Sequence, residues 1–290
     1  MYKSLQELFE NRVQQFVLSN REYKDFFPKA ERKLDSCSKR SAEIVKVKAT
    51  GKIIDKSDQD GIQKVKYLAH YRYLIKQKGN FYIEEEVEER LAKLYKNSII
   101  SDEEIPALDF QEDTFRDSIE RVTKGDHIVF KYDRLKAVQY AERWWNSYNP
   151  AYKKFENDCT NFISQCLHAG GAPMRGYPNR GNGWWMQNNN WSYSWAVAHS
   201  LKNYLANSKI GLRAKEVSSP DQLTYGDVIC YDFEGDGRFN HNTIVVAKDA
   251  YNMPLVNAHT YNSRMRYWAY EDSSAYTPNI KYKFYTIVDG

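Results

Sequence analysis

The stretch "NDCTNFISQCLHAGG" (157–171) puts a cysteine at the head of an amphipathic segment and a glycine pair at its tail. Cys159, Phe162, Ile163, Cys166 and Leu167 fall on the i, i+3, i+4, i+7, i+8 stripe of a helix buried along one side. Asn157 or Asp158 can cap its start, and Gly170 or Gly171 can supply a left-handed C-cap. The helix therefore begins at the cysteine. Its unpaired first-turn N–H groups, the positive end of the helix dipole, favour a thiolate over a thiol of free pKa roughly 8.5. The same groups can hold a developing oxyanion. Position alone leaves Cys159 open between a nucleophile and a small buried core residue. Cys166, two turns further in, fits the inert role. A zinc site on Cys159, Cys166 and His168 is disfavoured, because that spacing matches no common zinc pattern and a helix scatters the three ligands.

A nucleophilic cysteine needs a base. The segment 223–260 reads as three strands, "DVICYDF", "HNTIVVAK" and "PLVNAHT", joined by turns at "EGDG" and "DAYN". His241 heads the middle strand, on one face with Thr243 and Val245. Asn257 and His259 share a face of the third strand by the two-residue period. Either is expected beside His241 across the ladder, giving a nucleophile, a base and a residue that orients it. Ordinary structural roles suffice for His70, His127, His168 and His199.

Upstream, residues 1–19 repeat apolar positions at helical spacing, and 43–76 read as a long β-hairpin about the turn cluster "DKSDQDG". In "FYIEEEVEERLAKLY" (81–95), Ile83, Val87, Leu91 and Tyr95 recur every four residues, which suits a helix and also one face of a strand; the spacing leans to the helix. An acidic, proline-bearing stretch at 97–118 reads as a linker. A helix begins after "GDHIVFKYDR" (125–134), with Leu135, Val138, Ala141, Trp144 and Trp145 as its apolar side. The expected boundary near residue 130 separates a smaller α+β domain (1–130), of NTF2-like or cystatin-like kind by analogy, from a second domain at 131–290. "NRGNGWWMQNNNWSYSW" (179–195) mixes tryptophans with amides; Trp184 and Trp185 either line a groove for a glycan or peptide or pack this long loop onto the domain.

Composition narrows the class. The chain has 290 residues, 42% apolar and 15% aromatic, enough for packed cores. Its 42 basic and 38 acidic residues, net +4, are too balanced to indicate nucleic acid. No apolar run of about 18 residues suggests membrane insertion, and the first 16 residues lack a signal-peptide core. The chain as written is thus expected in the cytoplasm, although a protein shortened at its start and destined for the cell wall would read the same. The four cysteines show no disulfide-framework spacing. "DFEGDG", with Asp232, Glu234 and Asp236, echoes half a calcium loop, but Thr243 stands where the bidentate acid belongs, so an acidic β-turn and no metal is the expectation.

"NDCTNFISQCLHAGG", "YGDVICYDFEGDGRFNHNTIVV" and "PLVNAHT", in this order, closely resemble the bacterial putative amidase domain family, a relative of the NlpC-type and CHAP cell-wall hydrolases in the papain-like superfamily. The resemblance covers about residues 132–290. It implies an α+β papain-like domain, with a helix packed on an antiparallel sheet. By motif position it implies Cys159 as nucleophile after Asp158, Gly226-Asp227 opening the central strand, and His241 as base. Asn257 takes the orienting place, with His259 as the alternative because the hairpin is longer than usual. The implied chemistry is cofactor-free acyl transfer on peptidoglycan-derived peptides or other amides, through a thioester. His241 would protonate the leaving amine and then activate water. Asp158 and Tyr152, just before the helix, are candidate substrate contacts with Trp184 and Trp185. A catalytically silent peptide- or glycan-binding module and an intracellular cysteine protease are the alternatives.

Overall fold

The computed structural model describes residues 1–17, 27–105, 129–260 and 262–290. The chain divides into two compact units: Met1–Ala107 together with Ala269–Ser274, and Leu108–Trp268 together with Ala275–Gly290. Each combines helices with antiparallel strands, an α+β architecture.

In the first unit, helices α1 (Tyr2–Val17) and α2 (Pro28–Lys39) precede strands β1 (Ala42–Gln59), β2 (Ile62–Gln77), β3 (Asn80–Tyr95) and β4 (Ser98–Glu104). The strands pair antiparallel in chain order. Two-residue connections set the register. Asp60-Gly61, Lys78-Gly79 and Lys96-Asn97 all have positive φ, the mirror-image turn that matches strand twist. Phe16, Phe27, Tyr67, Tyr71 and Tyr73 fill the core under the helices.

Residues 81–95 are a strand where the four-residue spacing leaned to a helix. A spacing of four satisfies period two as well, and pairing along the whole of β2 decides the matter. The apolar set Ile83, Val87 and Leu91 lies on the less buried face, while Glu84, Glu86, Glu88 and Arg90 point inward. These charges are matched. Lys29 meets Glu86 at 2.8 Å and also Glu88. Lys33 pairs with Glu84 and, at 2.9 Å, with Asp272. Arg90 bonds Glu88 and Asp102, each at 2.7 Å. Of the expected linker, 98–104 forms β4 and 106–118 lies outside the described residues, as does the run containing His127.

The second unit contains α3 (Arg134–Trp144), α4 (Cys159–Ala169), the short strands β5 (Met186–Gln187) and β6 (Asn190–Trp191), α5 (Tyr193–Ala196) and α6 (Ala198–Asn207). Strands β7 (Arg213–Val217), β8 (Val228–Asp232), β9 (His241–Lys248), β10 (Pro254–Ala258), β11 (Ser263–Tyr267) and β12 (Lys281–Val288) follow. These six form an antiparallel array in the order β11-β10-β9-β8-β12-β7. Phe162, Ile163, Cys166 and Leu167 of α4 share one core with Val228, Cys230, Ile244, Val246, Tyr285 and Ile287 of the strands. Asp133 caps α3, its carboxylate accepting from Lys136 N–H at 3.0 Å. Of the expected apolar side, Ala141 and Trp145 are buried and Val138 and Trp144 pack against the core, while Leu135 is exposed and Ala137 faces inward as well. Asp227, before β8, accepts from Arg134 at 2.6 Å, Ile287 N–H at 2.9 Å and Thr224 N–H at 2.8 Å. It ties α3 to β8 and β12. Among the described residues, no helix is long and apolar enough to cross a membrane.

Candidate functional site

Helix α4 starts at Cys159, as its stripe requires, and every residue from Cys159 to Leu167 is buried. The expected amphipathic stripe is therefore covered on both sides. One side packs on the strands, the other under the loop that carries the tryptophans.

Three polar groups reach the cysteine sulfur: the hydroxyls of Thr160 and Thr260 and the backbone N–H of Asn242. The Thr260 hydroxyl oxygen accepts from the backbone N–H of Asp158 at 3.0 Å and of Cys159 at 3.1 Å. Thr260 does so at φ 75°, a left-handed conformation that β-branched residues seldom adopt. Thr160 Oγ1 lies 3.7 Å from Cys159 Sγ and accepts from Asn242 Nδ2 at 3.0 Å. The hydroxyl is thereby left free to point its own proton at sulfur. Thr260 Oγ1 and the Asn242 backbone N–H also reach the thiol. These donors favour a thiolate, yet burial outweighs them and pushes the Cys159 thiol up from its ordinary value. The depressed thiol expected from the helix dipole is therefore not the state of this closed arrangement. Burial likewise pushes Cys166 and Cys230 up, and at Cys230 the Lys202 charge opposes it without reversing it.

The histidine beside this cluster is His259. Its Nδ1 lies 2.8 Å from Asp158 Oδ2 and its Nε2 lies 2.7 Å from the carbonyl oxygen of Trp144. That carbonyl, on the last residue of α3, also accepts from the Ser147 backbone N–H at 3.1 Å. The ring stacks on Phe162 with centroids 4.0 Å apart. Asp158 Oδ1 accepts from Phe155 N–H at 3.0 Å and Asn161 Nδ2 at 2.8 Å. Sequence neighbours thus couple twice: Asp158 to His259, and Cys159 to Thr260.

His241 is elsewhere. It pairs with Tyr231 across β8 and β9, and its ring lies 5.6 Å from that of Tyr231 and 6.0 Å from that of Phe233. Tyr231 in turn hydrogen-bonds Thr243, which shares the His241 face. Asn242, Ile244 and Val246 occupy the opposite face, against α4. The structure therefore does not bring His241 to Cys159. The reason is parity. "HNTIVVAK" is buried on both faces over its first six residues, so the two-residue period cannot tell which face meets the helix. Burial, with the Arg266 charge second, pushes the His241 ring down to about 3.

Asn257 is paired with Ile244, on the α4 face, after a register shift between Leu255 and Val256. Its Nδ2 donates to Glu142 Oε1 at 2.8 Å and its Oδ1 accepts from Met265 N–H at 2.8 Å. Both ends of the carboxamide are used, one toward α3 and one toward β11, and neither contact is with His241.

The proposed substrate contacts fare differently. Asp158 is in the cluster, but its carboxylate is buried and bonded. Tyr152, half-buried, stacks on Trp195 at 6.0 Å. Trp184 and Trp185 are fully buried rather than groove-lining. Trp184 Nε1 donates to Ser164 at 2.9 Å and Trp195 Nε1 to Asn161 at 2.8 Å, so these rings fasten the loop onto α4. Trp185 Nε1 donates within the loop, to the Asn179 and Asn182 carbonyls at 3.2 and 3.0 Å. At the acidic turn, Asp232 accepts from Gly235 N–H at 2.7 Å and Gly237 N–H at 2.8 Å, closing the turn on its own backbone. Among the described residues, no group of three or more His, Cys, Asp or Glu side chains is placed to hold a metal.

Sequence reasoning missed Thr160, Thr260 and Asn242. The threonines follow Cys159 and His259 directly, a hint available in "DCT" and "AHT". Asn242 carried no hint, since only the strand's facing reveals it.

Residues 131–285 match the family described as "Putative amidase domain". The chain is 59% identical over 266 residues to "Uncharacterized protein YhbB" of Bacillus subtilis (strain 168), covering 89% of this chain and 86% of that protein. It is 30% identical over 141 residues to "Uncharacterized protein YjcM" of the same organism, covering 45% of this chain and 31% of that protein. No solved structure matches.

Proposed function

This chain belongs to the "Putative amidase domain" family, and from that premise we propose that it is a cysteine-dependent amide hydrolase using Cys159 and His259. The observation that carries the reading is that Asp158-Cys159 is joined to His259-Thr260 at the start of one helix by two contacts, Asp158 Oδ2 with His259 Nδ1 and Thr260 Oγ1 with the Cys159 N–H. Cys159 Sγ attacks the amide carbon once the sulfur is opened to the substrate, and the thiol proton passes to His259. That step requires one of the ring's two bonds to release, and the bond to the Trp144 carbonyl is the one whose loss leaves Asp158 still orienting the ring. The imidazolium protonates the leaving amine. Water then cleaves the thioester, giving its proton to the ring and restoring the thiol. A papain-like arrangement of the second unit, an NTF2-like or cystatin-like first unit and bacterial cell-wall peptides as substrate complete this reading; they rest on the motif resemblance.

The test digests peptidoglycan with the full chain and identifies released fragments by mass spectrometry, comparing Cys159→Ala, His259→Asn and His241→Asn. Cleavage lost with Cys159→Ala and His259→Asn, and retained with His241→Asn, is the expected result. Cleavage that survives Cys159→Ala overturns the mechanism. Loss with His241→Asn and survival with His259→Asn would return the base to the residue that the motif order indicates.

A further inference from the structure

We infer that Asn242 reads the substrate beside Cys159, selecting amides that bear an N–H on the scissile nitrogen. The inference rests on Cys159 being the attacking atom. Asn242 is fully buried on the α4 face of β9, and its Nδ2 is committed to Thr160 Oγ1 at 3.0 Å. Its Oδ1, the other end of the same carboxamide, is a buried acceptor with no partner among the described residues. Buried acceptors are nearly always satisfied, so this one calls for a donor from outside the described residues, and on this reading the substrate brings it.

Two further facts place that acceptor at the reaction. The Asn242 backbone N–H and the Thr160 hydroxyl both reach Cys159 sulfur, so the side chain is held next to the attacking atom through both its main chain and its amide. An amide whose carbonyl carbon meets Sγ carries its nitrogen one bond away. The group that nitrogen can offer is an N–H donor, which complements the free Oδ1. A primary or secondary amide supplies it. A tertiary amide, such as the bond before proline, does not, and would also press a carbon against a desolvated oxygen. Sites built to hydrogen-bond a substrate N–H reject analogues lacking it, because the buried partner is then left unpaired. Nδ2 has a separate task in the same contact. By donating to Thr160 Oγ1 it turns that hydroxyl's proton toward sulfur.

The test uses alkylating probes, so it does not depend on knowing the substrate. The full chain is treated with iodoacetamide and with N,N-dimethyl-iodoacetamide, modification of Cys159 is followed by peptide mass spectrometry, and both rates are divided by those of glutathione. The expected result is a normalised preference of about fivefold to tenfold for iodoacetamide, the size of one hydrogen bond. The preference disappears in Asn242→Ala and persists in Asn242→Asp, which keeps an acceptor. Thermal unfolding of each variant accompanies the rates; should Asn242→Ala not fold, the wild-type ratio and Asn242→Asp decide. No preference in the wild-type chain, or an equal one in Asn242→Ala, or its loss in Asn242→Asp, overturns the role of Asn242 and leaves Cys159 as nucleophile standing. Cys159 untouched by either reagent overturns the nucleophile itself.

Discussion

Cys159 and His241 are both buried, and burial favours the neutral form of each. Around Cys159 the hydroxyls of Thr160 and Thr260 and the Asn242 N–H favour a thiolate, but burial outweighs them and the Asp158 charge opposes them. Around His241 the neighbours are the rings of Tyr231 and Phe233 with the Arg266 charge, which together hold the imidazole neutral. Neutrality has a thermodynamic sign. In the unfolded chain the ring takes a proton near its ordinary value of about 6.5, whereas in the folded protein it resists until about pH 3. Between these limits the unfolded state binds the extra proton, so this contribution is fully present above pH 6.5 and is lost as pH falls toward 3. We expect unfolding free energy, from urea melts at several pH values, to drop by up to about 1.4 kcal/mol per pH unit in this window on account of this ring. His241→Gln should flatten that slope; an unchanged slope would mean that the ring is protonated in the folded protein. The sequence placed Cys159 at a helix start because the stripe and its caps act within one element. It pointed to His241 as the base and to His259 only as an alternative orienting residue, because strand facing is a property of packing between elements and is not visible in the period.

Facing also explains which elements were legible. The hairpin of β1 and β2 follows from turn chemistry and β-branched runs, both local, and Asp60-Gly61 marks its turn within the expected segment. Helix α1 follows from a single amphipathic period. Strand β3 does not, because its apolar residues satisfy two periods and its inward residues are charged, reversing the usual sign of the pattern. The tryptophan loop could be read as groove or core, and only burial distinguishes the two. Trp195 illustrates the outcome: it contacts Trp184 at 4.7 Å and bonds Asn161 of α4. Truncating it opens a cavity over the helix that carries Cys159 and leaves the Asn161 acceptor without its donor. Trp195→Ala should therefore lower stability by about 3–5 kcal/mol, the range for large aromatic truncations in cores. Chemical denaturation measures the loss. A stability change under about 1 kcal/mol, accompanied by weaker substrate binding, would instead favour the groove.

At the scale of the whole molecule, the chain is not two consecutive beads. The first unit takes Ala269–Ser274 from far along the sequence, so its stability is written in two places. Asp272 supplies the reason. Lys33, almost fully buried on α2, faces Glu84 of β3 and Asp272, and Arg32 Nε donates to the Asp272 carbonyl oxygen at 3.3 Å. Arg40 also lies 3.3 Å from Glu84, so the glutamate serves two cations and the second carboxylate is needed to balance them. Buried ion pairs add little net stability when intact, but removing one partner strands the other charge away from water. Lys33→Met and Asp272→Asn should each destabilise the full chain by about 3–5 kcal/mol. The double variant should lose less than the sum by about 1–3 kcal/mol, since its second change no longer strands a charge. A double-mutant cycle from urea denaturation reads this coupling. Strict additivity would show that the segment 269–274 does not neutralise Lys33. Coupling of the expected size would mean that residues 1–107 alone lack a carboxylate their core requires, so a fragment cut there should melt below the full chain's first transition.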